Sequence, residues 1–223
     1  MKPTTLVLVI ALFGPLAGSD GETEVHPQTS GAAGTVLFQD DFSKPANGWM
    51  VAKTDYAEFG YLDGEYRILL QKPDFNTYSI LPKQKFDNVS IEVDARLVSG
   101  SANGVFGILC RAEADEGTAS KAYVFAIRAD GVYGILKRTS PSFWDAIAMG
   151  SGSKVIKPGN AINHLRADCS GGTLTFYING EKVLEKADSA FSGGFVGFAV
   201  TTQPKSEPLD VRFDNFVIHA IAP

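Results

Sequence analysis

Glu92-Val93-Asp94-Ala95-Arg96 sets two carboxylates and a guanidinium at every second position. In an extended strand that spacing puts all three on one face. Two carboxyl groups about 5 Å apart are the working pair of retaining glycoside hydrolysis. The same string also suits a solvated sheet face, where a cross-strand ion pair adds little energy. A second chemistry needs no bond breaking. Sugar rings stack on aromatic side chains, and their hydroxyls bond to carboxylates, guanidinium groups and amides. The groups expected to join Glu92, Asp94 and Arg96 in such a concave-face patch are Arg111, Tyr123, Tyr133 and Trp144. Trp144 falls in a polar stretch, 139–146, that reads as a loop and would present its ring to solvent.

Other chemistries find no residues. There is no Gly-x-Ser-x-Gly nucleophile elbow and no phosphate-binding loop. His26, His164 and His219 are scattered and stand apart from any Ser or Cys partner. Two cysteines are too few for a Cys-based zinc site or a disulfide scaffold. The net charge of −5, with no basic run, argues against nucleic acid or an anionic membrane as a partner.

The elements that must position these residues are strands. In 163–185, Leu165, Ala167 and Cys169 alternate with Arg166 and Asp168. After a turn at Ser170-Gly171-Gly172, Leu174, Phe176 and Ile178 alternate with Thr173, Thr175 and Tyr177. Asn179-Gly180 follows, the dipeptide that best accepts the two positive φ angles of a type I′ hairpin turn. Asp63-Gly64 and Asp130-Gly131 repeat that signal. Period-two alternation with one apolar face is the mark of a half-buried antiparallel sheet. No segment holds a helical period over three turns. Some dozen strands with hairpin turns predict an all-β sandwich or barrel. The final segment, 209–220, alternates less cleanly than the rest.

Residues 1–19 read as a secretory signal. Lys2 precedes an apolar run, Leu6 to Phe13, that is too short to span a bilayer, and Ala17-Gly18-Ser19 offers small residues for cleavage. Residues 20–34 are polar, free of aromatics and rich in Gly, Ser and Thr, the composition of a disordered linker. Residues 35–223 form the expected single domain, in a secreted or periplasmic, bacterial protein. In that oxidising setting Cys110 and Cys169, both on apolar strand faces, are expected to pair. Two separate buried thiols are the alternative.

Several strings taken together resemble a known group. Asp40-Asp41-Phe42-Ser43 is followed by Gly48-Trp49, then Cys110-Arg111, then Arg166 to Cys169, then Leu174 to Gly180, and last Arg212-Phe213-Asp214-Asn215-Phe216. Their order resembles the concanavalin A-like jelly rolls: laminin-G-like domains, laminarinase-type glucanases and 3-keto-disaccharide hydrolases. It is most similar to extracytoplasmic domains of bacterial lipoproteins. The resemblance covers about Val36 to Ile218 and implies a two-sheet antiparallel jelly-roll sandwich. Glucanases of this group carry Glu-x-Asp-x-Glu. Arg96 stands here where the third acid would be, so half of that machinery is missing. Related jelly rolls often hold a structural calcium where the first and last strands meet, which implies a site at Asp41 and Asp214. Calcium takes oxygen ligands, several of them backbone carbonyls. The expected function is a secreted, non-catalytic carbohydrate-binding module. The alternatives are a structural or protein-binding surface domain, and an enzyme cleaving glycosidic bonds like the 3-keto-disaccharide hydrolases.

Overall fold

The computed structural model describes residues 34–115, 118–140 and 143–223. The expected signal at 1–19 and, Gly34 apart, the linker at 20–34 lie outside the described residues. No described residue is helical, and fifteen strands form in chain order. They are β1 (Val36–Asp40), β2 (Ala52–Lys53), β3 (Ala57–Leu62), β4 (Glu65–Leu70), β5 (Asn76–Ile80), β6 (Val89–Ser99), β7 (Val105–Asp115), β8 (Thr118–Arg128), β9 (Tyr133–Ser140), β10 (Phe143–Gly150), β11 (Asn163–Ser170), β12 (Thr173–Ile178), β13 (Glu181–Ala187), β14 (Phe195–Thr201) and β15 (Leu209–Ala220).

One sheet has nine strands in the order β13-β12-β11-β6-β15-β4-β3-β2, with β1 also paired to β15. The other has six, in the order β10-β9-β8-β7-β14-β5. Every pairing of named strands is antiparallel. This is the two-sheet jelly-roll sandwich that the strings implied. The Asn179-Gly180 and Asp63-Gly64 turns take the expected pairs of positive φ angles, 52° with 86° and 57° with 83°.

The inner faces meet in an aromatic cluster. Phe198 of β14 lies flat on Phe213 of β15, with ring centroids 4.0 Å apart, and on Trp49 at 4.9 Å. Phe42, Tyr66 and Phe216 close round them. Trp49 needs a partner for its indole N–H when buried. Asp40 supplies it, accepting from Trp49 Nε1 at 3.0 Å while its other oxygen accepts from the Phe42 amide at 2.9 Å. The motif around Asp40 and Trp49 is therefore a core clasp.

Cys110 of β7 and Cys169 of β11 are bonded, tying one sheet to the other. The expected pairing is present, and the bridge spans the core. It closes a loop with a sequence separation of 59.

The nine-stranded sheet keeps a polar outer face, whereas the six-stranded sheet curls. On its outer face Arg138 of β9 hydrogen-bonds Asn76 Oδ1 (3.2 Å) and the Tyr78 hydroxyl, both on β5. Strands β9 and β5 stand four places apart, which in a flat sheet is about 19 Å. The sheet must bend sharply for the two side chains to meet, so this outer face is concave. Residues inside such a bend must be small. Successive partners across the sheet are Tyr78, Ala199, Gly107, Ala126, Gly134 and Met149. A Cβ on Gly107 would fall 2.0 Å from the Phe125 carbonyl oxygen.

Two outcomes test this account. Replacing both cysteines with Ser should lower unfolding free energy by about 4 kcal/mol in the chain-entropy model, read from urea denaturation, with a steeper slope because the unfolded chain loses its cross-link. Gly107→Ala should cost about 1–3 kcal/mol by overpacking the bend, whereas Ala on the flat outer face of β12, at Thr173, should cost far less in the same assay.

Candidate functional site

Strand β15 changes parity midway. Leu209, Val211 and Phe213 are buried, and then Phe216 and Ile218. Odd positions give way to even ones because the pairing with β6 shifts between Asp214 and Val217, with Asn215 at φ 52°. Asn tolerates this left-handed backbone better than most residues. The bulge leaves Asn215 out of the ladder, directly after Asp214, which still pairs with Asp94. Next to them, β1 and the loop after it form the wall of an open cleft of about 420 Å³, lined by Gln39, Asp40, Asp41, Ser43, Lys44, Ala46, Asn47, Asn215, Phe216 and Val217.

From this cleft a chain of polar contacts runs across the outer face of the nine-stranded sheet. Asn215 Nδ2 donates to Asp94 Oδ2 at 3.0 Å. The other oxygen of Asp94 meets His164 Nδ1 at 2.9 Å, and His164 Nε2 meets Glu92 Oε2 at 3.2 Å. One imidazole thus bridges the two carboxylates. The register makes this possible: His164 lies opposite Asp94, and Arg166 opposite Glu92, on the paired strands β11 and β6. The hairpin turn helps to hold it, since Asn179 Oδ1 accepts from the His164 amide at 2.9 Å.

The bonds to Glu92 and then Asp94 hold the His164 imidazole above its ordinary value near 6.5, against burial, which acts the other way. In return the His164 bond holds the Glu92 carboxyl below the usual range. Asp214 moves the opposite way: burial raises it first, and the carboxylates of Glu65, Asp94 and Asp41 add to that. Asp41, fully exposed, is held low by its bonds from the Ser43 hydroxyl and amide.

Arg96 takes no part in the His164 bridge. Its guanidinium grips Glu65 of β4 with two bonds, 2.8 and 2.5 Å, and reaches Asn160 at 2.8 Å. Glu65 in turn meets Arg212 at 3.4 Å. The expected patch of seven ligand residues therefore divides. Glu92, Asp94 and Arg96 share one face, joined at its cleft end by Asp41 and Asp214, the residues expected at calcium. The other four are elsewhere. Arg111 is buried and donates to the carbonyls of Gly171 and Phe191 at 2.8 Å each, stapling loops together. Tyr123 points into the core, where burial pushes its hydroxyl up to about 12. Tyr133 packs against the same core. Trp144 sits on β10 of the opposite sheet, in a strand where a loop was expected. It is half-buried beside Arg138 and Tyr78, with its ring 5.0 Å from the guanidinium.

The residues that sequence reasoning missed are His164, Glu65 and Asn215. Alternation in 163–170 already put His164 on the polar face with Arg166 and Asp168. The pairing of β11 with β6 was what could not be read. Among the described residues, no group of three or more His, Cys, Asp or Glu side chains is placed to hold a metal ion. Asp41 and Asp214 would give calcium two carboxylates, with backbone carbonyls and water making up the remainder.

A family model for the 3-keto-alpha-glucoside-1,2-lyase-like domain matches residues 33–219. The chain belongs to this lyase-like family. A search of curated proteins finds no match. Among solved structures, the lyase-like domain is similar to the carbohydrate-binding module CBM66 of Bacillus subtilis, at 18% identity and TM-score 0.63, covering 79% of this chain and 98% of that one. A Bacillus subtilis protein with a galectin-like fold gives 16% identity and TM-score 0.66, covering 86% and 99%. The β-glucanase of Bacillus licheniformis gives 11% and 0.62, covering 82% and 98%. At such identities the likeness is one of fold.

The raised Asp214 carboxyl fixes a sign. Its folded form holds a proton more tightly than the unfolded chain does, so stability falls as pH rises from about 3.8 through the folded value. In lyase-like domain samples kept in chelator, Asp214→Asn should raise the melting temperature at pH 7. The gain should stay under about 1 kcal/mol at this partly exposed site and vanish in acid. A loss at pH 7 would contradict the assigned repulsion.

Proposed function

We propose that this lyase-like domain recognises carbohydrate, without cleaving it, in the cleft beside the β15 bulge. The observation that carries the reading is the cleft itself. Its size lies within the range of small-ligand sites, and three amides, the Ser43 hydroxyl, two Asp residues and the Lys44 ammonium line it together with Ala46, Phe216 and Val217. Such a lining offers a polyhydroxylated ligand hydrogen-bonding groups beside apolar surface. The fold shared with a carbohydrate-binding module and a β-glucanase supports the class of ligand. Glu92, Asp94 and Arg96 extend the polar surface from the cleft, and a calcium on Asp41 and Asp214 would relieve the repulsion felt by Asp214. The inter-sheet disulfide favours an extracytoplasmic setting, because thiols stay reduced in the cytosol of most cells.

A second reading has its own observation. His164 lies between two carboxylates and is held protonated above its ordinary value, which is the make-up of an acid–base centre. In a 1,2-elimination from a 3-keto-glucoside, the carbonyl acidifies the C2 proton. One carboxylate would take that proton, the C1–O bond would break, and His164 would give a proton to the departing oxygen.

Binding and turnover separate the two. On an array of neutral glycans the protein should bind at least one class, more weakly in chelator than with calcium. Asn47→Ala and Asn215→Ala should each weaken that binding about tenfold, the worth of roughly 1.4 kcal/mol. Release of the aglycone from a 3-keto-α-glucoside, lost in His164→Ala, would move the assignment to the lyase reading. Silence on every glycan and no turnover would leave a structural or protein-binding surface domain.

A further inference from the structure

The cleft wall and the histidine are one hydrogen-bonded unit. Asn215 lines the cleft, and its side-chain amide is fixed by Asp94 Oδ2. Asp94 is fixed in turn by His164 through its other oxygen, and His164 is fixed by Glu92. The protonated imidazole has two N–H groups and satisfies both carboxylates at once. The neutral imidazole has one. Its second nitrogen then turns a lone pair toward a carboxylate oxygen, and one of the two contacts must break. We propose that His164 is a proton-operated latch on the cleft: protonated, it holds Asp94 and through it Asn215 in the form that binds ligand, and neutral, it releases them.

The proposal rests on the reading of the cleft as the ligand site, and it adds the control of that site. The groups around His164 set the direction. Among the described residues, Glu92 and Asp94 on β6 are the side chains that its ring meets, and both favour the charged ring. Arg166, two residues along β11, is taken up by Asp168 through bonds of 2.9 and 2.6 Å and lies over the Tyr177 ring of β12. On β15, the charge of His219 favours ionised Glu92, and Asp214 feels the charge of Asp94. The latch is thus closed below the ordinary histidine value, where folded and unfolded rings are both charged. It opens as pH rises through the raised value of the folded ring.

The test follows Asn215 by NMR in the whole protein, through its side-chain amide signals, while the His164 ring is titrated from about pH 5.5 to about pH 9. The Asn215 amide should shift with the same midpoint as the His164 ring, and it should not shift in His164→Gln, which donates a hydrogen bond at every pH. His164→Asn serves as the second variant should the longer amide disturb the sheet. The affinity for the glycan selected on the array should fall about tenfold over that range in the unaltered protein and stay level in the variants. An Asn215 amide that ignores the His164 midpoint, or one that titrates equally in both variants, overturns the latch. An amide that follows His164 in a protein that binds no glycan at any pH upholds the latch and removes the cleft reading instead.

Discussion

Strand β15 must bury Phe213 on the Phe198 ring and Phe216 against Trp49 and Phe198, three residues apart in a structure whose period is two. An extra residue has to be accommodated between them. β15 runs through the middle of its sheet, paired to β6 on one side and to β4 and then β1 on the other. The extra residue therefore cannot be lost at an edge, and it appears as the bulge at Asn215. Moving Phe216 back to the outer face would expose a large ring and empty the aromatic cluster, a change of several kcal/mol for a residue of this size. The strained turn at one Asn costs about 1–3 kcal/mol. Packing wins, and the cleft is its by-product. Bulges commonly re-aim side chains beside functional sites in this way.

The outer faces of the two sheets have answered opposite demands. The six-stranded sheet bends until Tyr78, Arg138 and Trp144 close over a floor of Gly and Ala, which shields residues such as Leu109 and Val124 from water. The nine-stranded sheet keeps charges along the outside of β4, β6, β11 and β15. There Arg67 bonds Asp210, Arg212 bonds Asp210 and meets Glu65, and Arg96 grips Glu65. Arg212 and Asp210 are buried, and Glu65, Arg67 and Arg96 are mostly so. Their joint effect is one of placement: every Arg on this face is engaged by an acid other than Glu92 and Asp94.

The fold was legible because its signals are local. Alternation, Asn179-Gly180 and Asp63-Gly64 each act over a few residues, and the strands they predict are present. The site was legible in part. Glu92, Asp94 and Arg96 were placed on one face by parity, which survives without knowledge of partners. Tyr123 and Tyr133 were not, because polar-tipped rings fit either face and only packing decides. Trp144 was read as loop because the stretch around it is polar, while the pairing of β10 with β9 was set by residues far along the chain. The broken alternation of 209–220 was visible in the sequence. It becomes informative once Phe213 and Phe216 are both required inside, for then a bulge must lie between them.

Which cation faces a carboxylate pair decides what the pair can do. Sequence spacing made Arg96 the natural counter-charge for Glu92 and Asp94, four and two residues away on the same strand. Had it served, the pair would be neutralised at every accessible pH, since a guanidinium does not give up its proton. Glu65 removes that possibility. It binds Arg96 through both carboxylate oxygens, a geometry that a planar guanidinium matches better than any single contact to Asp94 could. The pair is left to His164, whose charge is conditional. The Arg that marks the departure from the glucanase pattern thus does not block the acids beside it. By being held elsewhere, it leaves them coupled to His164, a group that can donate a proton near neutral pH.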